Sequence, residues 1–404
     1  LPITWVLLYV PVDGFNLKDS INLAKKFIAN GEKIFFPEEF LDFKDIAYGL
    51  CLWLRQVFIG LFLSRFVKNM PVLGLERKEG RSFMKLLWAD SFYGPVGLEG
   101  ILFTLSFKKM FKRVENIKDC LYYCEMQPWE HALNSAKNQE QSDIRSIGFQ
   151  HSSIPNYSFN YFHERLETEY TDDGTGLPLP DIMGCDGEIM QDLLAASGYP
   201  GLRRLEALRY LYLDKVLSAP DSQIGKRRTL LIAGSGDKEE SIRLIMLVRS
   251  VFAKAGAFDI CFKGHPSFPF EKLFNDLGID SRESGYIIKH NDISNSLKEA
   301  FAVITLSSTV MIEALAFGCE VVVPIFPDFI SLHPLVGFEK YYHKVDSPEG
   351  IKEIVQKIFN GFSLCSIREY RSFVRRYWDI DADIPRWSKL LDITDERKNK
   401  LVSS

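Results

Sequence analysis

Residues 301–324 read FAVITLSSTVMIEALAFGCEVVVP. Residues 302–306 form an apolar run suited to a buried strand. Ser307, Ser308 and Thr309 follow at once, and residues 310–317 show helical spacing. Gly318 stands where a helix ends in the left-handed conformation. Residues 320–323 make a second buried strand, stopped by Pro324. Strand, hydroxyl turn, helix and strand are one βαβ unit of a parallel sheet. The hydroxyl turn lies at a helix N-terminus, where unpaired N–H groups suit an anion, most naturally a phosphate. A plain Ser/Thr cap without a ligand has the same local sequence.

Working outward, the 404 residues are long for one domain and comfortable for two. Hydrophobic content of 46% with 25% charged residues fits a globular protein, and a net charge of −4 argues against a nucleic-acid binder. The 31 Phe call for large cores or an apolar, sugar-stacking cleft. Among seven Cys, Cys120 and Cys124 lie four apart, but no second pair or nearby His completes a zinc pattern. That fits reduced thiols in the cytoplasm. Residues 47–64 are strongly apolar, yet Arg55 and Gln56 sit in the middle. They read as a buried or membrane-surface helix rather than a span.

Strand and helix patterns alternate in two series, separated by a polar stretch at 217–228 that holds Pro220 and Gly225. The expectation is α/β: two Rossmann-like doubly wound domains facing a cleft. Residues 1–218 would be an acceptor-binding domain and 226–362 a nucleotide-sugar-binding domain. The helices of 363–404 would pack back toward the first. Ligands of such sheets bind beyond the carboxyl ends of the strands, so strand-end residues carry the chemistry.

In the second series, the strand over 258–263 ends in Lys263, Gly264, His265 and Pro266. His265 can donate to a phosphate and neutralise a leaving group; a capping His is the bland reading. Gly234-Ser235-Gly236-Asp237 follows the first strand, but Glu239 replaces the third Gly of a dinucleotide fingerprint. Asp237 is either a nucleophile or the cap of the next helix. In the first series, Glu125 and His151 end strands, where either could act as general base on an acceptor hydroxyl. Trp129 either stacks on a sugar or packs in the core, and Glu130 is a helix-start charge partner. His333-Pro334 reads as loop.

His265-Pro266 with Ser307-Ser308 resembles the paired motif of transferases that use cytidine nucleotides: bacterial sialyltransferases, retaining β-Kdo transferases and CDP-polyol phosphotransferases. Glu313-Ala314-Leu315 with Gly318 resembles the nucleotide-binding helix of GT-B glycosyltransferases, whose carboxylate meets the donor ribose; that residue would be Glu313. This likeness covers residues 229–324. A second covers 120–213. There EMQPWE at 125–130, GFQHS at 148–152, LPLPD at 177–181 and RYLY at 209–212 resemble a family of surface-carbohydrate biosynthesis proteins.

Together the resemblances imply a metal-independent GT-B glycosyltransferase. It would move a Kdo or sialic-type sugar from a CMP donor to a surface-polysaccharide or lipopolysaccharide acceptor. His265, Pro266, Ser307, Ser308, Thr309, Gly234 and Lys263 would hold the nucleotide. Trp129 and Glu130 would meet the acceptor, with Glu125, His151 and Asp237 as catalytic candidates. Arg209 and Lys263 are cations for an acidic sugar. No cofactor is expected beyond the nucleotide-sugar substrate. The expected place is the cytoplasm, including the inner face of its membrane. A CDP-polyol phosphotransferase and a nucleotide-sugar 2-epimerase are the alternatives.

Overall fold

The computed structural model describes residues 3–9, 16–67, 77–141, 143–155, 158–168, 176–220, 227–252, 256–281, 283–329 and 332–393. The chain opens with β1 (Thr4–Val6), α1 (Leu17–Ala29) and β2 (Lys33–Phe35). Three long helices follow, α2 (Phe43–Val67), α3 (Arg77–Phe92) and α4 (Pro95–Arg113). Next come β3 (Asp119–Tyr123), α5 (Pro128–Glu140), β4 (Arg145–Phe149), α6 (Arg165–Thr168), β5 (Ile182–Cys185), α7 (Glu188–Ala195), β6 (Leu202–Arg204) and α8 (Leu213–Ser218). The second series is β7 (Thr229–Ala233), α9 (Lys238–Val251), β8 (Asp259–Lys263), α10 (Phe270–Asp276), β9 (Tyr286–Ile288), α11 (Ile293–Glu299), β10 (Ala300–Ile304), α12 (Val310–Ala316), β11 (Glu320–Pro324) and β12 (His343–Val345). It closes with α13 (Pro348–Phe359), α14 (Ile367–Tyr377) and α15 (Pro385–Leu390).

The fold is α/β, as the alternation implies. Six strands form one sheet in the order β12-β11-β10-β7-β8-β9, and each of its pairings is parallel. The chain winds from β7 through β8 and β9 to one side, then from β10 through β11 and β12 to the other. That is the doubly wound topology. The strands of the first half fall into two sheets: β1 pairs with β2, and a four-stranded sheet runs β3-β4-β5-β6.

The described chain makes two compact units. One holds residues up to Gly148, with Glu164–Met183 and Gly198–Gly201; the other holds Phe149–His163, Gly184–Ser197 and the chain from Leu202 onward. Part of the expected linker, 221–226, lies outside the described residues. In the second unit the α14–α15 segment packs on chain from the first series. Tyr210 stacks on Trp378 at 3.6 Å, Arg204 clamps Asp379 at 2.6 and 2.8 Å, and the buried Glu206 caps α15 through the Arg386 and Trp387 N–H groups.

Phenylalanine fills the core of the six-stranded sheet. Phe262 meets Phe270 and Phe274 at 5.1 Å and Tyr286 at 5.2 Å, all buried. Gly318 has φ 70°, and its N–H and that of Cys319 return to Leu315 and Ala314. This is the left-handed helix end expected from the sequence. All seven cysteines are free thiols.

Candidate functional site at the sheet switch point

β7 and β10 are neighbours from which the chain departs in opposite directions, so a crevice is expected beyond their carboxyl ends. Three turns meet in this region. The first, after β7, is Gly234–Asp237. Gly234 is buried, and a Cβ there would stand 3.1 Å from Ser241 Oγ. Asp237 is exposed and accepts the Glu240 N–H at 3.0 Å. It therefore caps α9, the second of the two roles open to it.

The second turn follows β8. Lys263 is half-buried, and its carbonyl accepts the Gly234 N–H at 3.0 Å, tying the two turns together. Gly264 is required, because a Cβ would lie 2.7 Å from the Phe270 nitrogen. Pro266 is exposed. His265 is half-buried, and its Nδ1 accepts the Ser267 N–H at 3.2 Å. The ring proton then belongs on Nε2. The Cε1–Nε2 edge faces the first turn: a Cβ at Gly236 would sit 3.9 Å from Cε1 and 4.0 Å from Nε2. Burial first, and the Arg209 charge second, lower the His265 pKa. At neutral pH it is an uncharged donor through Nε2.

The third turn follows β10. Ser307 donates to Glu240 Oε2 at 2.5 Å, and Glu240 is buried. A hydroxyl has one proton, so Ser307 has none left for a phosphate. Ser308 Oγ accepts the Val310 N–H at 3.3 Å and keeps its proton to donate. Thr309 is the residue before α12 and makes no side-chain capping bond. With seven residues α12 is two turns long. Its dipole is correspondingly small, and any anion grip falls mainly to side chains.

Chain from the first series completes the constellation. The Tyr212 hydroxyl donates to Glu313 Oε2. Glu313 is only 6% exposed; burial raises its pKa, while the Tyr212 bond and the Arg209 charge oppose the rise. Arg209 is exposed, 5.8 Å from the Tyr210 ring, and makes no ion pair among the described residues. Its charge acts on His265, Glu313, Tyr210, Tyr212 and Asp186.

Asp186 stands directly after β5 and is 4% exposed. Its N–H donates to Gln150 at 3.1 Å and its carbonyl accepts the Asp379 N–H at 2.5 Å. Its carboxyl oxygens accept no hydrogen bond among the described residues. Burial first, then the Asp379 charge, hold the carboxyl well above the usual range; Arg209 opposes them. The strand-end rule that selects Glu125 and His151 also selects Asp186.

The first unit treats its candidates differently. Glu130 is 2% exposed and accepts the N–H groups of Glu125, Met126 and Gln127 at 2.8, 3.1 and 3.1 Å. Burial raises its pKa against those bonds. Its carboxylate secures a turn in which Met126 has φ 56°, and is engaged there rather than turned to an acceptor. Glu125 is exposed on that turn. Trp129 is half-buried, edge-on to Tyr122 at 5.7 Å. His151 is half-buried just after β4 and belongs to the second unit, not to that of Glu125.

No protein-family model and no curated protein matches the chain. Among solved structures, a putative UDP-N-acetylglucosamine 2-epimerase from Listeria monocytogenes is 15% identical, over 75% of this chain and 82% of its own, at a TM-score of 0.48. The GtfA/B complex is 13% identical over 71% of this chain at 0.44, and the match spans 59% of that chain, less than two thirds of it. The lipopolysaccharide outer core galactosyltransferase WaaB, in its apo form, is 10% identical over 74% of this chain and 82% of its own at 0.41. At such identities and scores these are distant likenesses and say nothing of this chain's ligand.

Proposed function

We propose that the chain is a glycosyltransferase that binds a nucleotide-activated sugar at the β7/β10 switch point. One observation supports this reading: the proton-bearing edge of His265 faces the Gly236 turn and feels the Arg209 charge, while the Ser308 hydroxyl, which follows the neighbouring strand β10, keeps its proton to donate. A neutral N–H, a free O–H and a guanidinium are complementary to a phosphate whose charge grows as the sugar departs. The donor we favour is CMP linked to Kdo or a sialic-type acid, with Arg209 or Lys263 meeting the sugar carboxylate. The acceptor would be a surface polysaccharide or lipopolysaccharide. Glu125 and His151 remain acceptor-side candidates. Asp186 joins them as a proton-transfer group, because at the end of β5 burial and the Asp379 charge favour its protonated form.

Asp186 also supports a second reading, nucleotide-sugar 2-epimerase, since isomerising a sugar carbon requires a group that takes and returns a proton. Incubation with donor alone separates the two: an epimerase turns over without acceptor.

A thermal-shift panel of CMP, CDP, UDP and GDP tests the main reading. A ligand of the native state at 100 times its Kd adds about 2.7 kcal/mol of stability. CMP is expected to raise Tm most, and His265→Ala to abolish the rise. No shift with any nucleotide, or an unchanged shift in His265→Ala, overturns the assignment.

A further inference from the structure

The helix α2 carries a long apolar face that the described residues leave exposed. Phe43, Ile46, Leu50, Leu54, Phe58 and Leu61 recur at three- and four-residue spacing, and they are 84, 42, 43, 50, 70 and 57% exposed. The 24 residues Phe43–Phe66 are apolar and long enough to cross a membrane, yet only 11% of that window is buried. On its inner side α2 is packed closely. A Cβ at Gly49 would stand 2.8 Å from Leu102 of α4, and one at Gly60 2.7 Å from Phe92 of α3. A helix held on one side by two others, with Arg55 at mid-length, is built to lie along a surface rather than to span.

The charges choose the occupant. Lys44 and Arg55 are exposed on the arc bordering the apolar stripe, and Arg65 is exposed at its C-terminal end. The sole acid of α2, Asp45, is turned away and paired with Lys109 at 2.5 Å. Arg65 lies 4.3 and 4.9 Å from the Phe62 and Phe66 rings, so cation and aromatics share one patch. A second copy docked through the same face would bring these cations together. An anionic bilayer meets both features: acyl chains for the stripe, headgroups for the cations. We propose that α2 docks the protein on an anionic phospholipid surface.

Co-sedimentation of the full chain with phosphatidylglycerol-containing and pure phosphatidylcholine vesicles tests this. No nucleotide is needed, so the result stands apart from the transferase reading. The protein is expected to bind the anionic vesicles, with binding weakened by salt. Leu54→Ser/Phe58→Ser should lower partitioning roughly tenfold or more. Arg55→Glu/Arg65→Glu should lower it on anionic vesicles alone. Because Leu54 and Phe58 are half or more exposed, the first pair should melt like the wild type; if it unfolds, the arginine pair decides. The proposal is overturned if the wild type does not sediment, or if the arginine pair binds anionic vesicles as the wild type does. A wild-type dimer that Leu54→Ser/Phe58→Ser converts to monomer would also overturn it.

Discussion

Two adjacent serines do different work. Ser307 gives its proton to the buried Glu240, whereas Ser308 keeps its own. Ser307→Ala should therefore destabilise the fold by about 1–2 kcal/mol, because a buried carboxylate loses a donor. Ser308→Ala should leave Tm unchanged and weaken nucleotide binding several-fold. Urea melts and calorimetric titration of both variants check the asymmetry, and equal effects would contradict it. Asp186 permits a test with a sign. Its folded pKa lies above the unfolded value, so the native state holds a proton that the unfolded chain releases above about pH 4. Stability is thus lost as pH rises through that range. Asp186→Asn should remove the loss, melting increasingly above wild type as pH rises past about 4. If Asp186 transfers a proton, the same variant loses turnover while still binding nucleotide.

At the scale of elements, Glu320 joins the far edge of the six-stranded sheet to α14. It lies on β11 and accepts from His343 of β12 at 2.8 Å, from Ser363 at 2.6 Å and from Tyr370 of α14 at 2.6 Å. Burial alone would raise its pKa; the hydrogen bonds outweigh burial and hold it below the ordinary value. Its contribution is present above the unfolded pKa and lost as pH falls through the folded one. Glu320→Gln removes the charge that these side chains and the Leu364 N–H converge on, and should cost about 2–4 kcal/mol by chemical denaturation. This junction also explains why β12 is hard to see in the chain. Three residues, His343–Val345, have no periodicity of their own, and they become a strand by pairing with β11. The 25-residue α2 shows the reverse. Its apolar run predicts a helix at once, whereas its exposure is known only when the neighbours on α3 and α4 are placed.

For the molecule as a whole, acid should be the weak side, and His333 is one cause. It is 3% exposed, and its Nδ1 accepts the Leu335 N–H at 3.2 Å. Burial first pulls its pKa down to about 4. Between about pH 6.5 and that value the unfolded chain binds a proton the native state refuses, so stability falls with pH, by up to about 3 kcal/mol. His333→Asn can keep the acceptor without the titration. It should flatten the loss of Tm between pH 6.5 and 4, and a slope equal to wild type would remove His333 as its cause.

Local signals were sufficient for much of this protein. Apolar runs, capping residues and Gly318 depend on neighbours three or four positions away, so the βαβ unit at 301–324 and the doubly wound series around it can be read directly. The strand-end rule likewise points to His265 and the serine turn. What the chain alone could not decide is where each polar group spends its protons. Ser307 meets Glu240 from 67 residues away, Glu313 meets Tyr212 from 101, and Arg204 meets Asp379 from 175. Those pairings follow from sheet order and helix docking, because a buried polar group bonds whatever the fold brings within 3 Å, however far apart the two stand in sequence.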